Sequence, residues 1–431
     1  MTRARPRALS LRPYPLAGGV LVLALISSYH AHAAPGAAQV VLAGSAKPDG
    51  PEAAEHASRQ APWHMANVIN PKVGTGAGDR DPAIELAQEH LRNRQFDQAL
   101  ELAAKLIAAD PKDPDGYNIE GAAYAGKLEW AKARKSFEAA LAVRPTDIPT
   151  LMNLAQLDLR DNNFASARKR YQTVLAIDEK YIPAMIAMSG IEDVGKNDRE
   201  SRAWLEKAKS ADPRAVSPRL ALGAHYLRQH DNPAALAELE EAQRLDFNNV
   251  EVLSLLGTAQ SAMGQKGGAV ATFRRLVSLQ PDWAVAHYRL GMAQIENKDT
   301  SDGARSLRKA VQLRPDYVEA TVALTEINVK DGRMDDAIKL ARGLQTAAPN
   351  SPAGLTLEGD VLMRQRRYSD ALKVYRRAFA VQQTGVGAIK LHAAESKAGN
   401  PKEADAKLQQ WLKAHPDDIT VKNYAAKRAG K

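Results

Sequence analysis

The chain has no cysteine among its 431 residues. That excludes disulfides, thiolate metal sites, a cysteine nucleophile and a lipid-modified N-terminal cysteine. Aromatic residues are scarce, 5% of the chain against 45% hydrophobic residues in all, so any core must be built from Ala and Leu. Such cores belong to packed helices more than to sheets, which favour β-branched and aromatic side chains. Long hydrophobic runs are also missing: no segment approaches the ~20 apolar residues needed to cross a bilayer. Finally, there is no acidic residue before Asp49.

The acid-free N-terminus instead carries Arg3, Arg5, Arg7 and Arg12, then an apolar run from Leu16 to Ile26 interrupted by Gly18 and Gly19. Ala31-His32-Ala33 follows, with small residues at the two positions a signal peptidase reads. This is the layout of a secretory signal, and it predicts cleavage after residue 33 and export to the periplasm. A mitochondrial transit peptide is also Arg-rich and acid-poor, but it spreads its apolar residues along an amphipathic helix instead of blocking them together. An uncleaved anchor is the other alternative, disfavoured by the shortness of the run. Loss of residues 1–33 removes four arginines and no acids, which takes the formal net charge from +9 to +5. That excess is modest and does not suit nucleic acid as the main partner. No stable membrane insertion is expected once the signal is gone.

Residues 34–79 are rich in Ala, Gly and Pro without a lasting period, and read as a flexible tether. Within them Gly74-Thr75-Gly76-Ala77-Gly78 lacks the Gly-Lys-Ser/Thr ending and the preceding strand of a phosphate loop. From residue 80 the chain repeats. A small residue recurs at Ala99, Ala133, Ala167, Ser201, Ala235, Ala269, Gly303, Ala337 and Ala371 in steps of 34, with Ala404 after 33. Twelve residues upstream of these lie Ala87, Gly121, Ala155, Ser189, Gly223, Gly257, Gly291, Thr325 and Gly359, and only His392 breaks the rule. Twelve residues downstream, seven of ten slots hold proline, from Pro111 to Pro416. Two amphipathic helices per unit explain these spacings. Small residues sit where the helices cross closely, Phe137, Tyr171, Phe273 and Tyr375 fill the space one turn later, and proline ends the second helix. One hairpin cannot bury its apolar face alone, so stacked neighbours supply the core.

This pattern resembles the tetratricopeptide repeat through ten units over residues 80–417. The second unit matches it best, with Tyr117, Gly121, Tyr124, Ala133, Phe137, Ala140 and Pro145. The resemblance implies an all-α fold, a right-handed superhelical solenoid of about ten helix-turn-helix repeats, with a groove lined by the first helix of each. The fourth unit departs most, with Asp198 and Ser201 where an aromatic and Ala are usual, and is expected to be looser. Residues 418–431 read as a short basic capping helix.

No catalytic constellation is legible. There is no G-x-S-x-G, H-E-x-x-H or P-loop, and the repeats leave no room for a catalytic domain. The histidines fall singly, and the spacing of five between His225 and His230 does not put two ligands on one face. No cofactor and no metal are expected. The family's groove positions, carried onto this chain, fall on Ile84, Leu91, Met152, Leu159, Ile186, Leu220, Leu227, Tyr288, Met292, Ile295, Val322, Val329 and Met363. Some of these would serve only to pack adjacent first helices. A second pattern is the dipeptide Leu91-Arg92, Leu159-Arg160, Leu227-Arg228, repeated every 68 residues, with Met363-Arg364 in phase. Arg near a helix C-terminus suits the helix dipole, which is the plain explanation. The functional one is a basic lane beside an apolar lane, matched to an acidic-apolar segment of a protein partner.

The expected function is therefore an exported scaffold that assembles an envelope, secretion or exopolysaccharide machine by binding proteins, and not an enzyme. A periplasmic carbohydrate-binding or enzyme-accessory subunit would need aromatic platforms, for which Tyr288 is the clear candidate. An organellar or cytosolic co-chaperone would need the heat-shock clamp, whose slots here hold Gln88, Ala122, Gln156, Gly190 and Ala224.

Overall fold

A computed structural model describes residues 81–429. The expected signal and tether lie outside the described residues, as do the last two residues of the chain. The described residues form 21 α-helices and no strand. The described residues divide into two compact units, on either side of the boundary between residues 247 and 248.

The first unit is five helix hairpins. They are α1 (Pro82–Arg92) with α2 (Phe96–Ala109), α3 (Pro114–Gly126) with α4 (Trp130–Val143), and α5 (Ile148–Arg160) with α6 (Phe164–Ile177). α7 (Ile182–Val194) with α8 (Asp198–Ala211) and α9 (Val216–Arg228) with α10 (Asn232–Leu245) complete it. The second unit also has five: α11 (Val250–Ala262) with α12 (Lys266–Leu279), α13 (Ala284–Glu296) with α14 (Thr300–Leu313), and α15 (Val318–Lys330) with α16 (Met334–Ala347). Then come α17 (Ala353–Arg364) with α18 (Tyr368–Val381), α19 (Gly385–Lys397) with α20 (Pro401–Ala414), and a single last helix, α21 (Ile419–Ala429).

The hairpin turn is the same device each time. In the first, the Arg94 N–H donates to Leu91 O at 3.1 Å and the Gln95 N–H to His90 O at 2.8 Å, with Arg94 left-handed at φ 59°. These two bonds satisfy carbonyls that the helix end leaves unpaired. The left-handed residue recurs at Leu128, Asn162, Lys196, His230, Gly264, Lys298, Gly332, Arg366 and Gly399, following the sequence period. At five of the ten first helices a short polar side chain caps the N-terminus. Asp147 accepts from the Thr150 N–H at 3.1 Å and hydroxyl at 2.6 Å, and Asn249 accepts from the Val252 N–H at 3.1 Å.

The small-residue slots are where the two helices of a hairpin meet. A methyl placed on Gly121 would lie 2.6 Å from the Phe137 ring, on Gly257 2.6 Å from Phe273, and on Gly359 2.3 Å from Tyr375. The ring one turn after each second-helix Ala thus occupies the space that the first-helix glycine leaves. Ala99, Ala133, Ala167, Ala235, Ala269, Ala337 and Ala371 are all fully buried.

Two departures have physical reasons. The fourth hairpin, expected to be looser, is closed by a hydrogen bond between Ser189 and Ser201 at 3.0 Å, both buried. His392, which breaks the small-residue rule, is buried. It holds the Tyr424 hydroxyl of α21 at 2.9 Å through Nδ1 and Asp405 of α20 at 2.8 Å through Nε2. The larger side chain serves as the tie between the last hairpin and its cap.

Candidate partner-binding face

The sequence-predicted apolar groove residues fall into two classes of exposure. Leu91, Met152, Leu220 and Leu227 are buried. Leu91 packs in α1 against Ile119 and Ala123 of α3, and Met152 of α5 against Ala184, Ala187 and Met188 of α7. These side chains stack one first helix on the next and offer little surface to a partner. Ile84, Leu159, Tyr288, Met292, Ile295 and Met363 are half-buried, as are Ile186, Val322 and Val329. Ile295 turns inward, its Cγ1 2.7 Å from where a methyl on Gly303 would lie. Tyr288 leans on Tyr317, ring centroids 5.2 Å apart, which leaves part of one face as a platform. Beside it, Arg289 of α13 donates to the Ser254 carbonyl oxygen of α11 at 3.2 Å and to its hydroxyl, and burial pushes its guanidinium pKa down.

The arginines of the repeated dipeptide differ sharply from one another. Each is the last residue of its helix. Arg92 is exposed and Arg364 is exposed. Arg160 stacks over the Trp130 ring, 4.2 Å from its centroid, and donates to Asp161 at 2.6 Å. Arg228 is 22% exposed and pairs with Asp193 of the preceding first helix. Within the first unit, then, two of the three serve contacts to their own chain.

The Asp193–Arg228 pair belongs to a constellation that sequence reasoning missed. His225 Nδ1 lies 3.6 Å from Asp193 and 3.4 Å from Ser201 Oγ, and Ser201 is fully buried. Burial pushes the Asp193 carboxyl up, but hydrogen bonds from His225 and Ser201 and the Arg228 charge outweigh it, holding the carboxyl below its usual range. Serine, histidine and aspartate together invite comparison with a hydrolase triad. The geometry does not support one, since Ser201 and Asp193 both face the same ring nitrogen. A histidine that takes a proton from serine must face it with one nitrogen and the carboxylate with the other. The signal available in the sequence was serine in both small-residue slots of one hairpin, which calls for a polar neighbour to satisfy the hydroxyls.

Among the described residues no group of three His, Cys, Asp or Glu could hold a metal ion, and no helix is long and apolar enough to cross a membrane. One cleft, about 420 Å³, opens between α18, α19 and α20, walled by Phe379, Leu391, Leu408 and Trp411. Its cations Arg376 and Lys407 are both bonded to the buried Glu395, at 3.0 and 2.7 Å, so it presents apolar walls and little free charge.

Three segments, residues 84–148, 251–282 and 294–361, each match a family model of the tetratricopeptide repeat. The chain carries tetratricopeptide repeats. No family model of an enzyme is among these matches, and no curated protein matches the chain. Solved structures with a similar fold include YrrB, described as a TPR protein with an unusual peptide-binding site, at 22% identity and TM-score 0.36. The alignment covers 43% of this chain and 96% of that one. A MamA protein matches at 17% identity and TM-score 0.35, over 40% of this chain and 94% of that one. A tetratricopeptide repeat protein from Parabacteroides merdae matches at 15% identity and TM-score 0.42, over 57% of this chain and 98% of that one.

Proposed function

We propose that this protein is an exported, periplasmic scaffold that holds protein partners on the first-helix faces of its tetratricopeptide repeats. The observation that carries the reading is the exposure pattern of those faces. In each unit half-buried apolar side chains, such as Leu159 and Met292, lie beside buried ones that stack the hairpins. A partly open apolar strip on a rigid stack suits an extended or helical segment of another protein. Export is supported by the arginines, apolar block and Ala31-His32-Ala33 at the N-terminus. Assembly of an envelope, secretion or exopolysaccharide machine is the role such a scaffold would fill outside the cytoplasm.

Two measurements test this. Mass spectrometry of the protein from its host should show a new N-terminus at Ala34, and an intact chain free in the cytoplasm would end the export reading. A photo-cross-linking residue at Leu159 or Met292 should capture a defined protein, while the same residue at Arg308 or Arg377 on the second helices should not. Equal capture from both faces would sink the assignment of the first-helix face.

A further inference from the structure

We propose that the second unit recognises an acidic, extended segment of its protein partner through a ladder of three cations, Lys330, Arg364 and Lys397. This rests on the protein-binding reading above and names the chemistry of the segment bound. The three are the last residues of α15, α17 and α19, the first helices of three consecutive hairpins. All are exposed, and none has a hydrogen-bonding or ion-pair partner among the described residues. Of the acids next to these helix ends, Glu326, one turn before Lys330 on α15, forms no ion pair with it, and the others are engaged. Asp331 pairs with Arg333 at 2.8 Å, Asp370 accepts from Arg367 at 2.8 Å, and Asp360 accepts from the Tyr375 hydroxyl at 2.6 Å and from Lys390 of α19. Arg364 and Lys397 therefore carry uncompensated positive charge, and Lys330 adds a third cation that forms no ion pair among the described residues. Arg366, in the turn after α17, and Lys402, in the first turn of α20, are also exposed.

Composition points the same way. Residues 352–431 contain 15 Lys and Arg against 8 Asp and Glu, whereas residues 248–351 contain 13 against 11. The helix dipole accounts for one cation at each helix end. It does not account for the lack of an ion pair at all three, since Arg160 and Arg228 occupy the same kind of helix end and each has one. Beside the ladder run Val329 and Met363, half-buried on one shared core cluster with Leu391. A row of charges flanked by an apolar strip fits a single chain better than a flat anionic surface.

Stacked first helices lie about 10 Å apart, and an extended polyproline-II chain advances about 3.1 Å per residue with three residues per turn, so every third side chain shares one face. A carboxylate at every third position, with apolar residues between, therefore meets the ladder in register. Neighbouring charges sit near the ~8 Å screening length of physiological salt, so binding weakens as salt rises.

The experiment uses the purified chain and a fluorescent nine-residue peptide with Glu at every third position and Leu among the rest. Its counterpart carries Gln in place of Glu, and binding is read by fluorescence anisotropy. The Glu peptide should bind on the order of ten-fold more tightly than the Gln peptide, as three exposed ion pairs supply. The triple variant Lys330→Glu, Arg364→Glu, Lys397→Glu should abolish that difference. The control Arg308→Glu, Arg377→Glu, Lys413→Glu, on the second helices, should keep it, with circular dichroism confirming that both variants fold. Equal binding of the two peptides, no binding of the Glu peptide, or equal loss in both variants overturns the ladder. So does binding of phosphatidylserine vesicles by the wild-type chain, lost in the ladder variant, without binding of the Glu peptide. If the partner cross-linked through Met292 is held equally by the ladder variant, the ladder fails while the scaffold reading stands. If no partner cross-links at all, the scaffold reading fails first.

Discussion

The two units repeat one backbone period but close it with different chemistry. In the first unit all five left-handed turn residues are non-glycine, whereas in the second three of the five are glycine. Both units join successive hairpins by buried carboxylates, the second in its last two hairpins, where Glu358 takes Arg342 and Glu395 takes Arg376, and the first in its third and fourth. Asp158 of α5 accepts from Arg134 of α4 and Arg170 of α6, each at 2.8 Å, and Glu192 of α7 takes Arg168 of α6. At the equivalent places in its first two hairpins the second unit uses neutral pairs inside one hairpin. Gln260 accepts from the Thr272 hydroxyl and Gln294 from the Ser306 hydroxyl, both at 2.7 Å. Charge divides likewise: residues 81–247 hold 23 Lys and Arg against 27 Asp and Glu, and residues 248–431 hold 28 against 19. A repeat specifies where helices cross, and leaves open whether polar slots are used to tie hairpins together or to stay free for a partner.

The sharpest way to break this comparison is to remove the ties. Asp158→Ala leaves Arg170 without its acceptor and Arg134 with Asp161 alone, and should cost about 3 kcal/mol. Gln294→Ala leaves one hydroxyl without its acceptor and should cost about 1–2 kcal/mol. Hydrogen exchange of peptides from α5 and α6 against those from α13 and α14 reads each locally. Equal losses would mean that the ionic ties contribute no more than the neutral ones.

Next in size come the helix crossings. Gly359→Ala forces a methyl into the Tyr375 ring and should cost about 1–3 kcal/mol by thermal melt. Ser189→Ala in the first unit removes one hydrogen bond from Ser201 and should cost about 1 kcal/mol.

Acid should then tell the units apart. The folded Asp193 carboxyl lies below its usual range, while the unfolded one titrates near ~3.9. The unfolded chain therefore takes up the proton first as pH falls. The stabilisation is complete above about pH 4 and is lost as pH drops through the folded value. Protection of α7 and α9 should fall as pH drops below about 4, and Asp193→Asn should flatten that slope; an unchanged slope would count against the Asp193 cluster.

The smallest effect is at the turns. Leu128 holds a left-handed conformation at φ 64°, which costs a non-glycine residue about 1–2 kcal/mol, partly offset by the entropy that glycine loses on folding. Leu128→Gly should therefore raise stability by up to about 1 kcal/mol, and Gly264→Ala in the second unit should lower it by a similar amount. A melt showing the reverse signs would mean that the turns tolerate side chains without strain.

The hairpins were legible because their cause is local and periodic. Gly121, Gly257 and Gly359 announce close crossings by their size, and Phe137, Phe273 and Tyr375 fill them one turn of the second helix later. Part of the candidate face was not legible. Leu227 and Leu159 occupy the same slot of their repeats, yet one is buried and the other half-buried, because neighbouring side chains decide how deeply each sinks.

What the sequence by itself determined is the helical period, the crossing points and the turn positions, since each follows from the size and backbone freedom of residues at fixed spacing. What only the tertiary structure decided is which charges remain available. Arg160 and Arg364 end their helices alike. One finds Trp130 and Asp161 within reach and the other finds no partner among the described residues. Pairing between long side chains depends on distances across neighbouring helices and turns, which the spacing of residues along the chain does not state.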